Sequence, residues 1–407
     1  MNQSNIDEGL EFIQKLGFTP VDSFDDFKGQ IKDQLGAEFL QEFIRILDTR
    51  YENKGKCLDI YSLKNKDMYT AMTFSGLYEG NYYRDAINYF ASQADHIKGK
   101  VLDVGSDNGV ITCYLANRFP ECTFIGIERE PSSVKIAQQL ASKLGLNNIS
   151  FVVTDIKQFK TNDQFDTITS SRTVTENNKD VVEPGLYGYT KTLRENSSEY
   201  RDSMIDYVNC IGTNLKPGGN IVQCERLANN QMYCGYLMAA NQCQFTQVGE
   251  TYFFQSNEGG MTGRFAGMVF KKEPPTISEE DIFLSWRSNI VKKAQYCTGY
   301  PERCYVGLDA QAFLESCGFK QKAGYIFSDA SLGRYHNTSY ALGTCDVKLK
   351  KYLKYTISDF ESSDEGREQK LTFLNNEGFA NELKNQQKIL NDAKRRGWKI
   401  QNHYFGD

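Results

Sequence analysis

The stretch Val101-Leu-Asp-Val-Gly-Ser-Asp-Asn-Gly109 decides the fold that the sequence predicts. A short apolar run ends in a turn that contains glycines, and a helical pattern begins at Val110. Thr123–Ile127 repeats the strand pattern and Ser132–Leu144 the helical one. Strands that alternate with helices indicate a parallel, doubly wound α/β sheet, which binds ligands at the carboxyl ends of its strands.

Further strand patterns extend this sheet and close it with a hairpin. Three of them are Ile149–Val153, Phe165–Thr169 and Asn220–Cys224. Two more, Thr251–Gln255 and Phe265–Lys271, flank the glycine-rich segment Glu258–Gly263. This arrangement predicts an antiparallel hairpin at the edge of the sheet.

The segments on either side of the sheet have different patterns. Residues 1–95 predict helices: one capped by Ser4 through Leu16, one capped by Asp25 or Asp26 through Asp48, and one over 81–95. After the boundary at Glu273-Pro-Pro275, helices are expected near 279–295, 309–316 and 378–396, and strands near 323–328 and 338–345. We therefore expect an N-terminal helical extension (1–79), an α/β core (80–272) and a C-terminal α+β accessory domain (273–407).

Composition disfavours several classes of protein and of cellular location. The net charge is −5 and the pI about 5.5, so no overall basic field favours nucleic acid or an anionic membrane. Three His and eleven scattered Cys without a C-x-x-C pair disfavour a metal site and indicate free thiols in a reducing cytoplasm. No signal-peptide pattern follows Met1, and no apolar run approaches membrane-spanning length. We expect a cytoplasmic protein without a metal.

Acidic residues at adjacent strand ends indicate a nucleoside site. Glu128 at the end of the second strand can accept hydrogen bonds from both ribose hydroxyls, and Asp155 after the third can accept from an exocyclic amine. The dinucleotide fingerprint would need glycines at 105, 107 and 110, where this chain has Gly105, Asp107 and Val110. Acids beside the turn repel a pyrophosphate, and the −7 net charge of residues 1–273 points the same way. A cationic sulfonium nucleoside is therefore favoured over NAD.

In these residues the chain resembles the class I S-adenosylmethionine-dependent methyltransferases over about residues 80–272. The similar motifs, in chain order, are Val101–Gly109, Phe124-Ile-Gly-Ile-Glu128, Phe151-Val-Val-Thr-Asp155, Phe165-Asp-Thr-Ile-Thr169 and Leu215-Lys-Pro-Gly-Gly219. Asp107 departs from the family pattern, which has a glycine there. The resemblance implies a Rossmann-like sheet of seven strands with the seventh reversed, and S-adenosyl-L-methionine as cofactor.

The resemblance also implies a set of cofactor-binding residues. Asp103 and Gly105 would contact the methionine end, Glu128 the ribose, and Asp155 with the backbone of Ile156 the adenine. The full expected set is Asp103, Gly105, Ser106, Gly109, Glu128, Arg129, Asp155, Ile156 and Ser170. Alternatives stay open: Glu128 as a solvated acid, Asp155 as a helix N-cap, and Phe74, Tyr78 and Tyr82 as either a cation–π cover for the sulfonium or ordinary helix packing.

Methyl transfer from a sulfonium is an in-line displacement, which needs a general base only when the acceptor carries a proton. Candidate bases are Glu225, at the end of the fifth strand, and Glu176; either can also be a solvated loop acid. Arg172 is expected to bind an anionic substrate group or to pair with an acid. The long segment Thr175–Tyr200 is expected to cover the substrate or to be a disordered insertion.

The acceptor is the least determined part of the prediction. Ser170-Ser-Arg-Thr-Val174 lacks the Asn-Pro-Pro-Tyr of many amino-methylating relatives and has no Pro-Cys, which disfavours adenine-N6, glutamine and 5-methylcytosine chemistry. We expect an O or N nucleophile of a small molecule. The alternatives are an RNA or protein methyltransferase that uses residues 273–407 for recognition, helped by the run Lys394–Lys399, and a non-catalytic S-adenosylmethionine-binding scaffold. The sequence leaves the oligomeric state open.

Overall fold

The structure of the chain is a computed structural model. It describes residues 7–49, 58–161, 163–174, 193–227, 230–279 and 282, the segments 319–329, 336–345, 352–360, 367–374 and 399–405, and isolated positions between 380 and 395. The chain divides into two compact units. The first comprises Met1–Asp180, Met204–Leu227 and Ala240–Thr276, and the second Val181–Ser203, Ala228–Ala239 and Ile277–Asp407. The three domain ranges predicted from the sequence stay predictions.

The first unit contains one mixed sheet with the order β3-β2-β1-β4-β5-β8-β6, in which β7 also pairs with β8. Its strands are β1 (Lys100–Val104), β2 (Thr123–Glu128), β3 (Ile149–Val153), β4 (Phe165–Ser171), β5 (Leu215–Glu225), β6 (Phe245–Gln247), β7 (Tyr252–Glu258) and β8 (Met261–Lys272). Strands β1 to β5 are parallel, whereas β8 is antiparallel to β5. The predicted Rossmann-like sheet with a reversed strand is confirmed.

The sheet has eight strands where seven were predicted, because β6 and β7 both pair with β8, each along a different part of it. β6 pairs with Phe270–Lys272 of β8, and β7 pairs with Met261–Gly267. Both lie on the side of β8 that faces away from β5. The predicted hairpin is therefore present as β7–β8, and its turn runs through Gly259 and Gly260, both with positive φ.

Helices precede this sheet and lie between its strands in the chain order. In the residues that the structure describes they are α1 (Glu8–Lys15), α2 (Phe24–Leu35), α3 (Ala37–Thr49), α4 (Leu58–Lys64), α5 (Met68–Phe74), α6 (Gly80–Ser92), α7 (Val110–Arg118), α8 (Pro131–Lys143), α9 (Leu193–Asn214) and α10 (Asn230–Gln242). A π-helical turn, Ser75–Glu79, joins α5 to α6. No helix in these parts of the chain is long and apolar enough to cross a membrane.

The single long helix predicted through Asp48 is wrong. Gly36, at φ 96°, ends α2, and α3 begins at the next residue. Ser23, and not Asp25 or Asp26, caps α2, because its hydroxyl accepts the N–H of Asp26 at 3.1 Å. Asp7 caps α1, and the predicted cap Ser4 lies outside the described residues.

The N-terminal helices have an aromatic core of their own. Phe27 lies edge-on to Phe43 and Phe74, with ring centroids 5.4 and 5.7 Å apart, and Phe74 stacks on Tyr78 at 5.4 Å. These contacts favour ordinary packing over a cofactor cover for Phe74 and Tyr78. They also account for part of the high aromatic content, since the pairs bring rings from α2, α3, α5 and the π-turn together.

The second unit contains a five-stranded antiparallel sheet with the order β12-β11-β10-β9-β13. Its strands are β9 (Phe319–Asp329), β10 (His336–Cys345), β11 (Tyr352–Phe360), β12 (Arg367–Leu374) and β13 (Lys399–Phe405). The first two confirm the predicted strands, and the other three were not predicted. The described positions between 380 and 395 are helical, as expected, whereas the helices predicted near 279–295 and 309–316, and most of the run Lys394–Lys399, lie outside the described residues.

Candidate functional site

The glycine turn after β1 is held against β2 by backbone hydrogen bonds. The N–H groups of Gly105 and Ser106 both donate to the carbonyl of Ile127, at 2.9 and 3.0 Å. Gly105 has φ 73°, and a Cβ there would lie 2.3 Å from Cγ2 of Thr173. Gly109, at φ 80°, caps α7. Both glycines are therefore required by the conformation and by the space.

Asp103, at the carboxyl end of β1, is buried between two hydroxyl groups. Thr112 donates to its Oδ2 at 2.5 Å and Thr169 to its Oδ1 at 2.7 Å. Burial raises the pKa of Asp103 to about 6, although both hydroxyl hydrogen bonds act to lower it. The carboxylate is thus fixed in place and poorly solvated, which strengthens its attraction for a cation.

Glu128 ends β2 and folds back over the backbone of the site. Its Oε1 accepts the N–H groups of Arg129 and Glu130 at 2.8 and 3.0 Å, and its Oε2 accepts the N–H of Asp107 at 3.3 Å. Burial, followed by the charge of Asp107, raises the pKa of Glu128. The two N–H groups occupy both acceptor sites of Oε1, whereas Oε2 keeps one acceptor site for a ligand hydroxyl.

Asp155 follows β3, and its carboxylate accepts the N–H of Lys157 at 2.8 Å. Its carbonyl accepts from Gln158 and Phe159, so Asp155 caps a turn here and not a helix, which was the alternative predicted for it. Ile156, next to it, is buried. Register places these strand ends at one edge of the sheet, since Glu128 pairs with Val153 in β2–β3.

Ser170 lies at the same edge, where it pairs with Val104. Its hydroxyl donates to Glu225 at 2.7 Å and accepts from Gln223 at 2.9 Å. These internal bonds use the O–H donor of Ser170 and one of its two acceptor sites. Its cofactor-binding role stays a prediction, as do those of Ser106, Gly109 and Arg129.

Glu225, the predicted general base, is fully buried and accepts four hydrogen bonds. Its Oε2 accepts the backbone N–H groups of Thr173 and Val174 at 2.7 and 3.0 Å. Its Oε1 accepts the hydroxyls of Ser170 and Thr173 at 2.7 and 2.9 Å. Burial raises the pKa of Glu225. This geometry favours a carboxylate that shapes the turn after β4, and the catalytic assignment stays a prediction. Glu176, the other candidate base, lies outside the described residues.

Arg172 is paired with acids and not left open for an anion. Its Nη2 donates to Glu79 and its Nη1 to Glu258, both at 2.9 Å. Its guanidinium carbon lies 4.2 Å from the ring centroid of Tyr82. Of the two roles expected for Arg172, pairing with an acid is the one observed, and substrate binding stays a prediction.

A buried ion chain runs through this region. Lys64 Nζ lies 2.5 Å from Asp107 and 3.2 Å from Glu79, and Arg226 pairs with Glu258. Burial alone would raise the pKa of Glu79, but Lys64 and Arg172 lower it to about 2. Charges alternate along the ion chain, whose members in order are Asp107, Lys64, Glu79, Arg172, Glu258 and Arg226.

Comparison with known proteins identifies the domain that contains this site. A family model described as "Methyltransferase domain" matches residues 95–256. The match begins just before β1 and ends within β7, so it contains every strand end described above. Residues 95–256 thus match a methyltransferase domain. The match supports the methyltransferase family, the enzyme class and the S-adenosylmethionine cofactor expected from the sequence.

Curated relatives match only short parts of this domain. They include the release factor glutamine methyltransferase of Escherichia coli (33% identical over 72 residues, 18% of this chain and 26% of that protein). Two others are a probable (S)-tetrahydroprotoberberine N-methyltransferase of Papaver bracteatum (29% over 68 residues, 17% and 19%) and a tRNA (guanine-N(7)-)-methyltransferase of Mycoplasmopsis pulmonis (37% over 60 residues, 15% and 30%). The chain spans less than a third of each relative, and their names cover protein, small-molecule and tRNA methylation.

Solved structures are similar at a lower level. The N-methyltransferase NodS of Bradyrhizobium japonicum is 18% identical, with 47% of this chain and 97% of that chain covered, at a TM-score of 0.35. A TM-score this low supports no inference about function.

The methyltransferase domain fits S-adenosylmethionine on two observations. Acidic side chains surround the glycine turn, which suits a cofactor that carries a sulfonium and an ammonium group. In addition, Oγ of Ser106 and Oδ1 of Asn65 are buried and have no hydrogen-bond partner. Buried acceptors without partners are rare, so both are available to donor groups of a cofactor.

Sequence reasoning missed Lys64, Asn65, Glu79 and Glu258. None lies in a family motif. Their place at the site depends on how α4, the π-turn and the hairpin pack against the strand ends. A weak signal existed at Glu79, since an acid between Tyr78 and Gly80 interrupts an otherwise apolar and aromatic segment.

Proposed function

We propose that this chain transfers a methyl group from S-adenosylmethionine to an O or N nucleophile of a small molecule. The observation that carries the proposal is the set of acids at adjacent strand ends around the glycine turn of a methyltransferase domain. Asp103 lies one residue before the end of β1, Glu128 ends β2, and Asp155 lies two residues after β3. Their order matches the order of methionine end, ribose and adenine that the family resemblance implies.

In the proposed complex the chain's own residues bind and orient. Asp103 and the Gly105 backbone hold the methionine end, Glu128 the ribose, and Asp155 with Ile156 the adenine. The cofactor supplies a methyl group already activated by its sulfonium. Glu225 keeps the turn after β4 in shape by accepting the N–H groups of Thr173 and Val174. Correct alignment of acceptor and methyl group is the main contribution that such a site makes to the rate.

The surroundings of Arg172 support a small acceptor over a polyanion. Each cation of the ion chain has a carboxylate partner within the first unit. Nucleic-acid binding uses basic groups that neutralise phosphates, and the cations of the ion chain are already paired with carboxylates. Tyr82 and Phe265, whose ring centroids lie 4.5 Å apart, add an aromatic wall beside Arg172.

RNA, protein and scaffold functions are the competing outcomes. The relatives' names include a protein and a tRNA methyltransferase, and most of the run Lys394–Lys399 lies outside the described residues. The cytoplasmic location also stays a prediction.

A transfer assay with labelled methyl donor separates these functions. Cell extract is fractionated into small molecules, RNA and protein, and each fraction is incubated with the full chain or with Glu128→Ala. The proposal expects label in the small-molecule fraction, and much less with the variant. Label in RNA or protein alone would reject the small-molecule acceptor, and tight cofactor binding with no label in any fraction would favour the scaffold.

A further inference from the structure

The helices before the methyltransferase domain reach into its glycine turn. The family model begins at residue 95, so α4 and the π-turn Ser75–Glu79 lie outside it. Nevertheless Lys64 and Asn65, at the end of α4, are only 3% and 1% exposed. Both contact Asp107, the residue that replaces the middle glycine of the family motif.

Asp107 binds donors from two separate segments. Lys64 Nζ donates to its Oδ2 at 2.5 Å, and Asn65 Nδ2 to its Oδ1 at 3.1 Å. Ser133, in α8, donates to Oδ1 at 3.2 Å and accepts from Asn65 at 2.7 Å. Asp107 has φ 46°, a region that Asp tolerates better than most residues. Asp107 therefore adopts the backbone conformation of the turn, and its side chain also links α4 to the turn through hydrogen bonds.

The same segment also contacts Arg172, which directly follows β4. Lys64 also donates to Glu79, which the π-turn places opposite Arg172. Ser75 and Tyr83 donate to Glu79 at 3.0 and 3.1 Å. Single π-helical turns inside helices occur frequently at functional sites, because they redirect one side chain without ending the helix.

An unpartnered acceptor marks where a ligand would meet this segment. The carboxylate of Asp107 only accepts hydrogen bonds, so the amide nitrogen of Asn65 must face it. This leaves Oδ1 of Asn65 buried without a partner, and Oγ of Ser106 on the neighbouring residue is in the same state. A ligand with donor groups, such as an ammonium or ribose hydroxyls, would satisfy both atoms.

We propose that residues 58–79 form a wall of the cofactor site and that Asp107 is the positioning residue that holds this wall in place. The inference rests on the proposed function, since it assumes an adenosyl amino acid in the site. It predicts that Asp107→Gly, which restores the family glycine and relaxes the backbone, weakens cofactor binding. If residue 107 served only to form the turn, Asp107→Gly would instead strengthen cofactor binding.

A residue swap tests the contact itself in the full chain. S-adenosylhomocysteine is titrated calorimetrically into the wild type, Asp107→Asn, Asn65→Asp and the double swap. Asn65→Asp puts two carboxylates face to face, and Asp107→Asn removes the anion that pairs with Lys64, whereas the double swap restores a carboxylate opposite an amide and keeps one negative charge beside Lys64. We expect each single variant to weaken binding about tenfold or more, and the double swap to recover part of the loss. Asp163→Asn, an exposed residue paired with Lys100, is the matched control and should bind as the wild type does.

The proposal that residues 58–79 form this wall would be overturned by unchanged affinity in both single variants. It would also be overturned if the double swap bound no more tightly than the weaker-binding single variant. If a single variant does not fold, hydrogen exchange on the wild type decides the question. Bound S-adenosylhomocysteine should slow amide exchange in residues 58–79 but not in α2, and unchanged exchange over 58–79 would overturn the inference. A wild type that binds neither S-adenosylmethionine nor its product would instead reject the proposed function.

Discussion

Replacing Gly105 with alanine tests whether the glycine turn has the shape described. Its φ of 73° is one that L-residues rarely adopt, and a Cβ would stand 2.3 Å from Cγ2 of Thr173. Thr173 cannot move freely, because its hydroxyl and its N–H are both bonded to Glu225. The new methyl group must therefore displace the turn after β1 or the one after β4.

The size of the effect follows from two separate costs. The left-handed conformation costs an alanine about 1–2 kcal/mol, and an extra methyl in a filled space costs about 1–3 kcal/mol. Gly145 provides the matched control, since its φ is 70° and a Cβ there meets nothing within 4 Å. Gly145→Ala should show the first cost alone, and Gly105→Ala both, for about 2–5 kcal/mol in total.

Urea unfolding followed by circular dichroism measures the free energies, and calorimetry with S-adenosylhomocysteine measures binding. We expect Gly145→Ala to bind as the wild type does and Gly105→Ala to lose most of its affinity. Equal destabilisation by the two variants, with binding unchanged in both, would refute the described packing of Thr173 against the turn.

Three further predictions concern buried charges. Lys64→Met leaves Asp107 and Glu79 without their shared cation and should lower the free energy of unfolding by about 3–5 kcal/mol. The control Lys28→Met removes an exposed ion pair and should change this free energy by less than about 0.5 kcal/mol in the same urea assay. Burial raises the pKa of Asp103 to about 6, so the stability linked to its protonation is present below about pH 4 and lost as the pH rises through 6. A cationic cofactor needs the charged form, so affinity for S-adenosylmethionine should rise about tenfold between pH 5 and 7, and calorimetry should find a flatter profile in Asp103→Asn. Glu225→Gln replaces the oxygen that accepts from the hydroxyls of Ser170 and Thr173 with an N–H₂ donor and should destabilise the fold by about 1–3 kcal/mol; unfolding identical to the wild type's, with transfer abolished, would instead indicate a general base.

The sheet was predictable because parallel strands buried on both faces have apolar sequences with glycine or acidic residues at their ends. β1 to β5 and the hairpin β7–β8 followed from that pattern. The split of one sheet position between β6 and β7 was not predictable, since Phe245–Gln247 is too short to show an alternation of apolar and polar residues. The break between α2 and α3 was missed because the apolar spacing continues across Gly36, and only its positive φ separates the helices.

The cofactor side of the site was predictable for a related reason: its acids follow strands directly, so their position comes with the fold. The contacts of Lys64 and Glu79 with that side depend on how α4 and the π-turn lie over β1, and no periodicity in the sequence encodes this. Glu225 shows the same limit. Its position at the end of β5 was correct, but its chemical surroundings come from Thr173 and Ser170, on another strand and its following turn.

Direct binding of S-adenosylmethionine to the full chain tests the central claim. Calorimetry should show one site per chain, and Glu128→Ala should weaken it about ten- to a hundredfold, as expected for loss of charged hydrogen bonds to ligand hydroxyls. Glu121→Ala, an exposed acid at the opposite end of β2, should leave the affinity unchanged. No heat of binding with the wild type, or equal affinities in all three proteins, would contradict the assignment of this sheet edge as the cofactor site.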